Sequence, residues 1–297
     1  MTPQAVGHLS MLLFSALVAG SFSLGSLMAN EIAPTAFTAL RFILASVIMA
    51  AVALGTTGLP RSTFAAPWRY LLLGGLYVIY FVTMFEGLKT AAPVSAAAVF
   101  TLTPILAGGF GWLLLRQVTT ARMALALSIG ATGALWVIFR ADWSALRAFA
   151  IGRGEMIFFW GCVAHALYPA LMRRLSRGES AAAFTFAVVA AGAIILTVLA
   201  APDIANTDWV NLPLIVWITL LYVSLFATAG TFLLVRIAAL RLPSAKVMAY
   251  TYLTPSWVIL WEIALGNGAP AGKVLIGVAM TVLALLLLLR DDEAQSG

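Results

Sequence analysis

LKTAAPVSAAAVFTLTPILAGGF (residues 88–110) and LRLPSAKVMAYTYLTPSWVILWE (240–262) are two copies of one pattern. Each has a basic residue (Lys89, Arg241), then proline, then small residues. An aromatic-bearing stretch follows, closed by Leu-Thr-Pro at Leu102–Pro104 and Leu253–Pro255. Both copies are apolar enough to sit in lipid. A membrane segment repeated about 150 residues on marks a duplicated helical bundle, the usual build of secondary carriers. Shorter echoes keep the same order: Val18-Ala19 with Val163-Ala164, Ala36-Phe37-Thr38 with Ala183-Phe184-Thr185, and Leu76-Tyr77-Val78 with Leu221-Tyr222-Val223. Each match alone is weak, and their near-constant spacing is the argument.

Composition sets the solvent. Of 297 residues, 63% are apolar and 9% charged, with mean hydropathy +1.03. That is too little polar surface to cover the chain in water. The apolar runs are continuous for about 20 residues and do not alternate, so the spans are helices and not barrel strands. One cysteine, Cys162, excludes an internal disulfide and a cysteine metal cluster. The net charge of +6 lies in short loops and implies no nucleic-acid partner. Met1–Gly7 lacks a basic n-region, so the first apolar run reads as a retained helix.

Reading between Pro, Gly and charged breaks gives an all-α polytopic membrane protein with ten transmembrane helices. The runs are 9–28, 34–54, 68–88, 94–115 and 120–139, then 155–172, 180–200, 212–239, 244–265 and 272–289. Residues 1–147 and 148–297 form the two five-helix repeats. With five crossings per half, the second half enters from the opposite side and the repeats are inverted. With the amino terminus inside, inner loops carry Arg61, Arg69, Arg116, Arg122, Arg173, Arg174, Arg177, Arg236, Arg241, Lys246 and Arg290. Outer loops carry only Lys89, Arg140, Arg147, Arg153 and Lys273, which places both termini in the cytoplasm of a bacterial-type inner membrane.

Pro34 with Leu40-Arg41-Phe42 on the second run, Ala96 to Ala98, and the two Thr-Pro turns together resemble the drug/metabolite transporter superfamily, EamA type. The resemblance spans nearly the whole chain. It implies two five-helix repeats, transport of small organic solutes and no cofactor. Such proteins commonly end the fourth and ninth helices with Gly-Glu; here Arg116-Gln117 and Gly266-Asn267 stand there. The aromatic-rich centre looks most like YddG-type exporters of aromatic and neutral amino acids.

Candidate residues each carry two readings. Arg41 lies about 10 Å deep at 1.5 Å per residue. It meets a substrate carboxylate, or it pairs with Glu31 or Glu86 as a structural anchor. His165, mid-membrane, contacts substrate or couples transport to protons, or else stays neutral and holds helices together. Tyr77, Tyr80, Phe100, Trp160, Tyr168, Tyr250 and Tyr252 line a wet central cavity, or pack as ordinary core. Pro104 and Pro255 remove backbone hydrogen bonds mid-helix and are the candidate hinges. The partners are a small-molecule substrate and the lipid bilayer.

The expectation is therefore alternating access through a central cavity between the repeats, with amino acids exported, or else other metabolites or drugs. Intramembrane enzymes need clustered intramembrane acids or motifs such as HExxH or GxSxG; the chain has no paired intramembrane aspartates and neither motif, so neither catalytic nor metal-binding residues are expected. A channel needs a filter loop or charge rings, also absent. Topology is directly testable: in intact cells a cysteine at Asn206 is expected to react with an impermeant maleimide and one at Ser296 is not. The opposite pattern would reverse the orientation of both halves.

Overall fold

A computed structural model of the chain describes residues 2–118, 120–148 and 150–295, the last six through their backbone. Ser296 and the Arg290 side chain, both used above, lie outside the described residues. All regular structure among the described residues is helical. Among the described residues nine helices are long and apolar enough to cross a bilayer: α1 (Pro3–Met28), α2 (Pro34–Thr56), α3 (Trp68–Leu88), α4 (Pro93–Leu115), α5 (Ala121–Ile138), α6 (Arg153–Leu175), α7 (Ala181–Leu199), α8 (Leu214–Ala239) and α10 (Gly272–Leu289). The tenth crossing, α9, runs as three pieces, Ser244–Ala249, Tyr250–Leu253 and Thr254–Ala264. Their bounds agree with the expected runs to within a few residues. The longer loops fold into small helices at Arg61–Phe64, Trp143–Arg147 and Ala201–Asn206.

Local chemistry sets the ends. Thr2, Thr120 and Ser180 accept from the backbone N–H groups of Ala5, Met123 and Ala183, capping α1, α5 and α7. Pro34 and Pro93 open α2 and α4, where a missing N–H costs nothing. Outward faces carry large apolar residues such as Val47, Leu113, Ile194, Val198 and Leu221, all more than half exposed. In water that surface would be prohibitive; in lipid it is the solvated face.

Packing follows the repeat. Helix α3 lies on α6 as α8 lies on α1; α4 packs on α6 as α9 packs on α1; and the equivalent helices α2 and α7, α4 and α9, α5 and α10 meet each other. The equivalent pairs run antiparallel. Trp136 Nε1–H donates to the Lys273 carbonyl at 2.9 Å, whereas Gly133, one turn earlier on α5, meets Gly277, one turn later on α10. Likewise the Thr57 and Ser180 hydroxyls are 2.7 Å apart while Phe42 covers Gly192. Such pairs have an approximate twofold axis across the helices, the arrangement of inverted repeats.

Three spans are irregular, and the sequence foretold two. Helix α4 breaks at Thr101-Leu102 and resumes at Thr103–Leu115; α9 breaks at Tyr250–Leu253 and resumes at Thr254. Pro104 and Pro255 each sit in the first turn of the resumed helix, buried. The Thr101 and Thr103 hydroxyls donate to the carbonyls of Ala98 (2.6 Å) and Phe100 (2.7 Å), the latter having lost its i+4 donor to Pro104. Thr103 and Thr251 hydroxyls meet at 3.1 Å, so the two breaks cross at one depth. The third irregularity was not expected: α8 carries a π turn at Leu225–Gly230.

The α5–α10 contact is the tightest test of this packing. A Cβ at Gly133 would lie 2.6 Å from the Gly277 carbonyl oxygen and 2.8 Å from Met280 Cβ, whereas Gly109 faces open space. Gly133→Ala is expected to destabilise the bundle by about 1–3 kcal/mol through overpacking, and Gly109→Ala by less than about 0.5 kcal/mol. Tryptophan fluorescence during unfolding in detergent reads the difference. Equal effects at both sites would refute the close helix approach.

Candidate functional site

Arg41 is fully buried on α2 and aims at the π turn of α8. Its Nε–H donates to Thr228 Oγ1 and its Nη2–H to the Ala227 carbonyl oxygen at 2.7 Å. The Thr228 hydroxyl donates in turn to the Val223 carbonyl, five residues back, at 2.7 Å. The Phe81 ring covers one face of the guanidinium, 3.6 Å from its carbon, with Phe85 farther off at 5.7 Å. Neither Glu31 nor Glu86 pairs with it: Glu86 bridges Lys89 at 2.7 Å near the bundle surface. Nη1 has no hydrogen-bond partner among the described residues. A buried cation held only by neutral acceptors and an aromatic face is electrostatically incomplete, because burying charge without a counter-charge costs several kcal/mol, on the order of 3–5 kcal/mol for a broken pair.

Beside it stands an aromatic cluster built from four helices. Tyr77 and Tyr80 on α3, Phe100 at the break of α4, and His165 and Tyr168 on α6 are all buried. The His165 ring stacks on Tyr80 with centroids 4.4 Å apart and lies 5.2 Å from Phe100 and 5.6 Å from Tyr77. Tyr77 contacts Tyr168 at 4.2 Å and stacks on Phe232 of α8 at 3.7 Å. Neither ring nitrogen of His165, nor the Tyr80 hydroxyl, has a hydrogen-bond partner among the described residues. Unpaired polar atoms in a buried place are rare in folded proteins and concentrate where ligands are handled.

The structure therefore brings together Arg41, Tyr77, Tyr80, Phe100, His165 and Tyr168, and separates three others. Trp160 is a correction: it is 62% exposed on the bilayer-facing side of α6, opposite to the inward face that carries His165. Tyr252 is buried but points into the notch at Gly130 on α5, with its hydroxyl toward the Leu127 carbonyl. Tyr250 pairs with His8 Nδ1 at 3.0 Å, one end of the bundle away from Arg41. The expected open cavity is also corrected, because ring-to-ring contacts fill the centre. Clefts at the periphery include about 530 Å³ between Ile105, Trp112, Val118 and Ser128, about 430 Å³ between Glu31, Asp203, Asp208 and Asn211, and about 360 Å³ between Thr57, Ser62, Arg177 and Glu179. Sequence reasoning missed Thr228, Ala227 and Phe232. The usable signal was an eighth run several residues longer than a span requires, with Ala-Thr-Ala-Gly at its middle.

At the end of the bundle where α1 begins, a second buried network ties α3, α6 and α8. Arg69 Nη2 meets Glu179 Oε1 at 2.8 Å, and Tyr70 donates to the same oxygen at 3.2 Å. Arg69 Nη1 donates to the Leu175 carbonyl at 2.6 Å. Arg236, at the foot of α8, donates to Ser176 Oγ (2.8 Å) and the Glu179 carbonyl (3.1 Å) and lies over Phe184. Partial burial pushes the Glu179 carboxyl up, but the Arg177 N–H and the Arg69 guanidinium outweigh it and hold it below the ordinary carboxylate value. The opposite end is closed by separate neutral-to-acid contacts, Thr35 to Asp203 and Ser95 to the buried Glu155 at 2.7 Å.

Comparison with known proteins agrees with the geometry. The model of the EamA-like transporter family matches residues 5–139 and again 152–290. An uncharacterized transporter of Bacillus subtilis (strain 168), YyaM, is 25% identical over 281 residues, covering 94% of this chain and 92% of its own. A crystal structure shares the fold at TM-score 0.74, with 20% identity over 96% of both chains.

The Arg69–Glu179 fastening can be read through Cys162, which is fully buried on the inward face of α6. Because the folded-state value of Glu179 is depressed, its stabilisation is present at neutral pH. It is lost as pH falls through that depressed value. Glu179→Gln is expected to raise the alkylation rate of Cys162 by about fivefold or more, equivalent to about 1 kcal/mol of easier opening. Mass spectrometry of the alkylated cysteine measures it. An unchanged rate would show that this network does not restrain opening.

Proposed function

Because the chain belongs to the EamA-like transporter family, we propose that this membrane transporter exports small carboxylate-bearing solutes, foremost aromatic and neutral amino acids. Residues 1–147 and 148–297 act as its two inverted repeats, in an inner membrane with both termini cytoplasmic. The cargo passes by alternating access between them, with Pro104 and Pro255 at the hinges. The observation that carries the reading is Arg41: a buried guanidinium beside Phe81 whose Nη1 has no hydrogen-bond partner, and which no carboxylate pairs, among the described residues. A cargo carboxylate supplies the missing charge.

Tyr77, Tyr80, Phe100 and Tyr168 then receive the side chain. Apolar burial is worth about 25 cal/mol per Å², which favours aromatic or large aliphatic side chains without strong discrimination among them. The free hydroxyl of Tyr80 and the imidazole of His165 are suited to the amino group, and His165 is the group through which a proton gradient would couple. Other carboxylated metabolites fit the same charge pattern. Polyamines and cationic drugs do not, since the central charge is positive.

In proteoliposomes the chain is expected to carry threonine, methionine or phenylalanine, with a pH gradient altering the rate if His165 couples. Arg41→Ala should reduce transport at least about twentyfold while leaving the protein folded, and Arg41→Lys should retain a measurable part, since losing a charge-assisted contact costs about 2–3 kcal/mol. Full transport by Arg41→Ala would leave Arg41 a structural anchor and remove the basis of this reading.

A further inference from the structure

A guanidinium offers two edges to an anion: Nε with Nη2 along its side, and Nη1 with Nη2 at its end. Here α8 occupies the side edge, with Thr228 Oγ1 on Nε–H and the Ala227 carbonyl on Nη2–H. Phe81 covers a face. Only the end edge, carrying the unpartnered Nη1, remains. The side-edge acceptors exist because of the π turn at Leu225–Gly230, which sets Ala227 and Thr228 side by side on the inner face of α8. Single π turns inside α-helices recur at functional sites because they turn backbone and side-chain groups out of the regular ladder.

We propose that Thr228 is the positioning residue of this anion site: by holding the side edge of Arg41 it leaves one edge for cargo, so the transporter accepts a monoanionic carboxylate docked end-on and refuses phosphate- or phosphonate-bearing solutes. The inference rests on the carboxylate role of Arg41 and specifies its geometry. A carboxylate brings two oxygens and one charge, which one edge and one guanidinium satisfy. A phosphonate brings three oxygens and up to two charges. Its third oxygen and second charge stay uncompensated among Phe81, Tyr77 and Phe232, in a place that penalises both. Releasing the Nε edge lets the head group swing, which weakens carboxylate binding and opens a second edge to larger anions.

The test measures transport and competition in proteoliposomes with L-phenylalanine and its phosphonate analogue, 1-amino-2-phenylethylphosphonate, which differ only in the acid group. The unsubstituted protein should bind phenylalanine at least about tenfold more tightly than the phosphonate. Thr228→Val, nearly isosteric, should raise KM for phenylalanine about five- to tenfold with little change in kcat, and narrow the preference over the phosphonate. Thr228→Ser should recover most of both. A purely structural defect would lower the number of active carriers and so the maximal rate, leaving KM in place. Equal affinity of the unsubstituted protein for both compounds overturns the proposal without any variant. So does a Thr228→Val protein indistinguishable from its parent while Arg41→Ala is inactive. Loss of neither binding nor transport in Arg41→Ala strikes instead at the carboxylate reading itself, and this proposal falls with it.

Discussion

In hydrocarbon no water completes a broken hydrogen bond, so every backbone carbonyl and amide of this chain must find its partner within the protein. That constraint decides where the bundle can be irregular. The three imperfect crossings, α4, α8 and α9, each carry a buried threonine at the break: Thr101, Thr228 and Thr251. Thr101 and Thr103 serve the carbonyls of α4; Thr228 serves Val223 in α8; Thr251 reaches Thr103 across the interface. The hydroxyls do locally what water does in a soluble protein. The same constraint bears on Arg41, which is held by the π turn of α8: groups freed from the ladder are the ones available to position a buried cation.

Duplication supplied two nearly equal halves, and the site arises where they differ. Tyr222 on α8 lies in a notch at Gly20 of α1, where any Cβ would come within 2.4 Å of its hydroxyl, and donates to the Leu17 carbonyl at 2.9 Å. The matching tyrosine of the first half is Tyr77, and the position matching Gly20 is His165. With the notch filled by an imidazole, Tyr77 packs against Tyr168 and Phe232 at the centre of the bundle. One residue's difference thus converts a helix-packing tyrosine into a member of the aromatic cluster. Arg41 is a second such difference, its counterpart near Val188 being apolar.

The architecture was legible because lipid enforces long apolar runs and because proline marks the breaks of α4 and α9. Arg41, Tyr77, Tyr80, Phe100, His165 and Tyr168 were legible for a related reason: polar or ring-bearing residues deep in a span stand out against an aliphatic background. What sequence did not disclose was direction around each helix. Trp160 and His165 differ by five residues, enough to put one toward lipid and the other toward the centre. Tyr250 and Tyr252 left the cluster because the tight turn of α9 aims them at α1 and α5. The π turn was invisible because no residue type enforces it. Arg69 and Arg236 were counted as loop charges, although both are buried in a network with Glu179.

The pseudo-twofold axis relates α4 to α9 and α5 to α10, yet it does not map Arg41 onto a second arginine. Under the proposed alternating access, exchanging the roles of the halves therefore leaves the cargo's acid group with the first repeat in both orientations. The walls that its side chain meets do change, from α3 and α6 rings to the differently furnished α1 and α8. A carrier with two symmetric copies of its anion site would load and unload at equal affinity. Under the proposed carboxylate role of Arg41 this one has unequal rungs on its free-energy ladder, so the dissociation constants on the two sides of the membrane differ, compensated around the cycle by an opposite inequality in the empty carrier's own equilibrium.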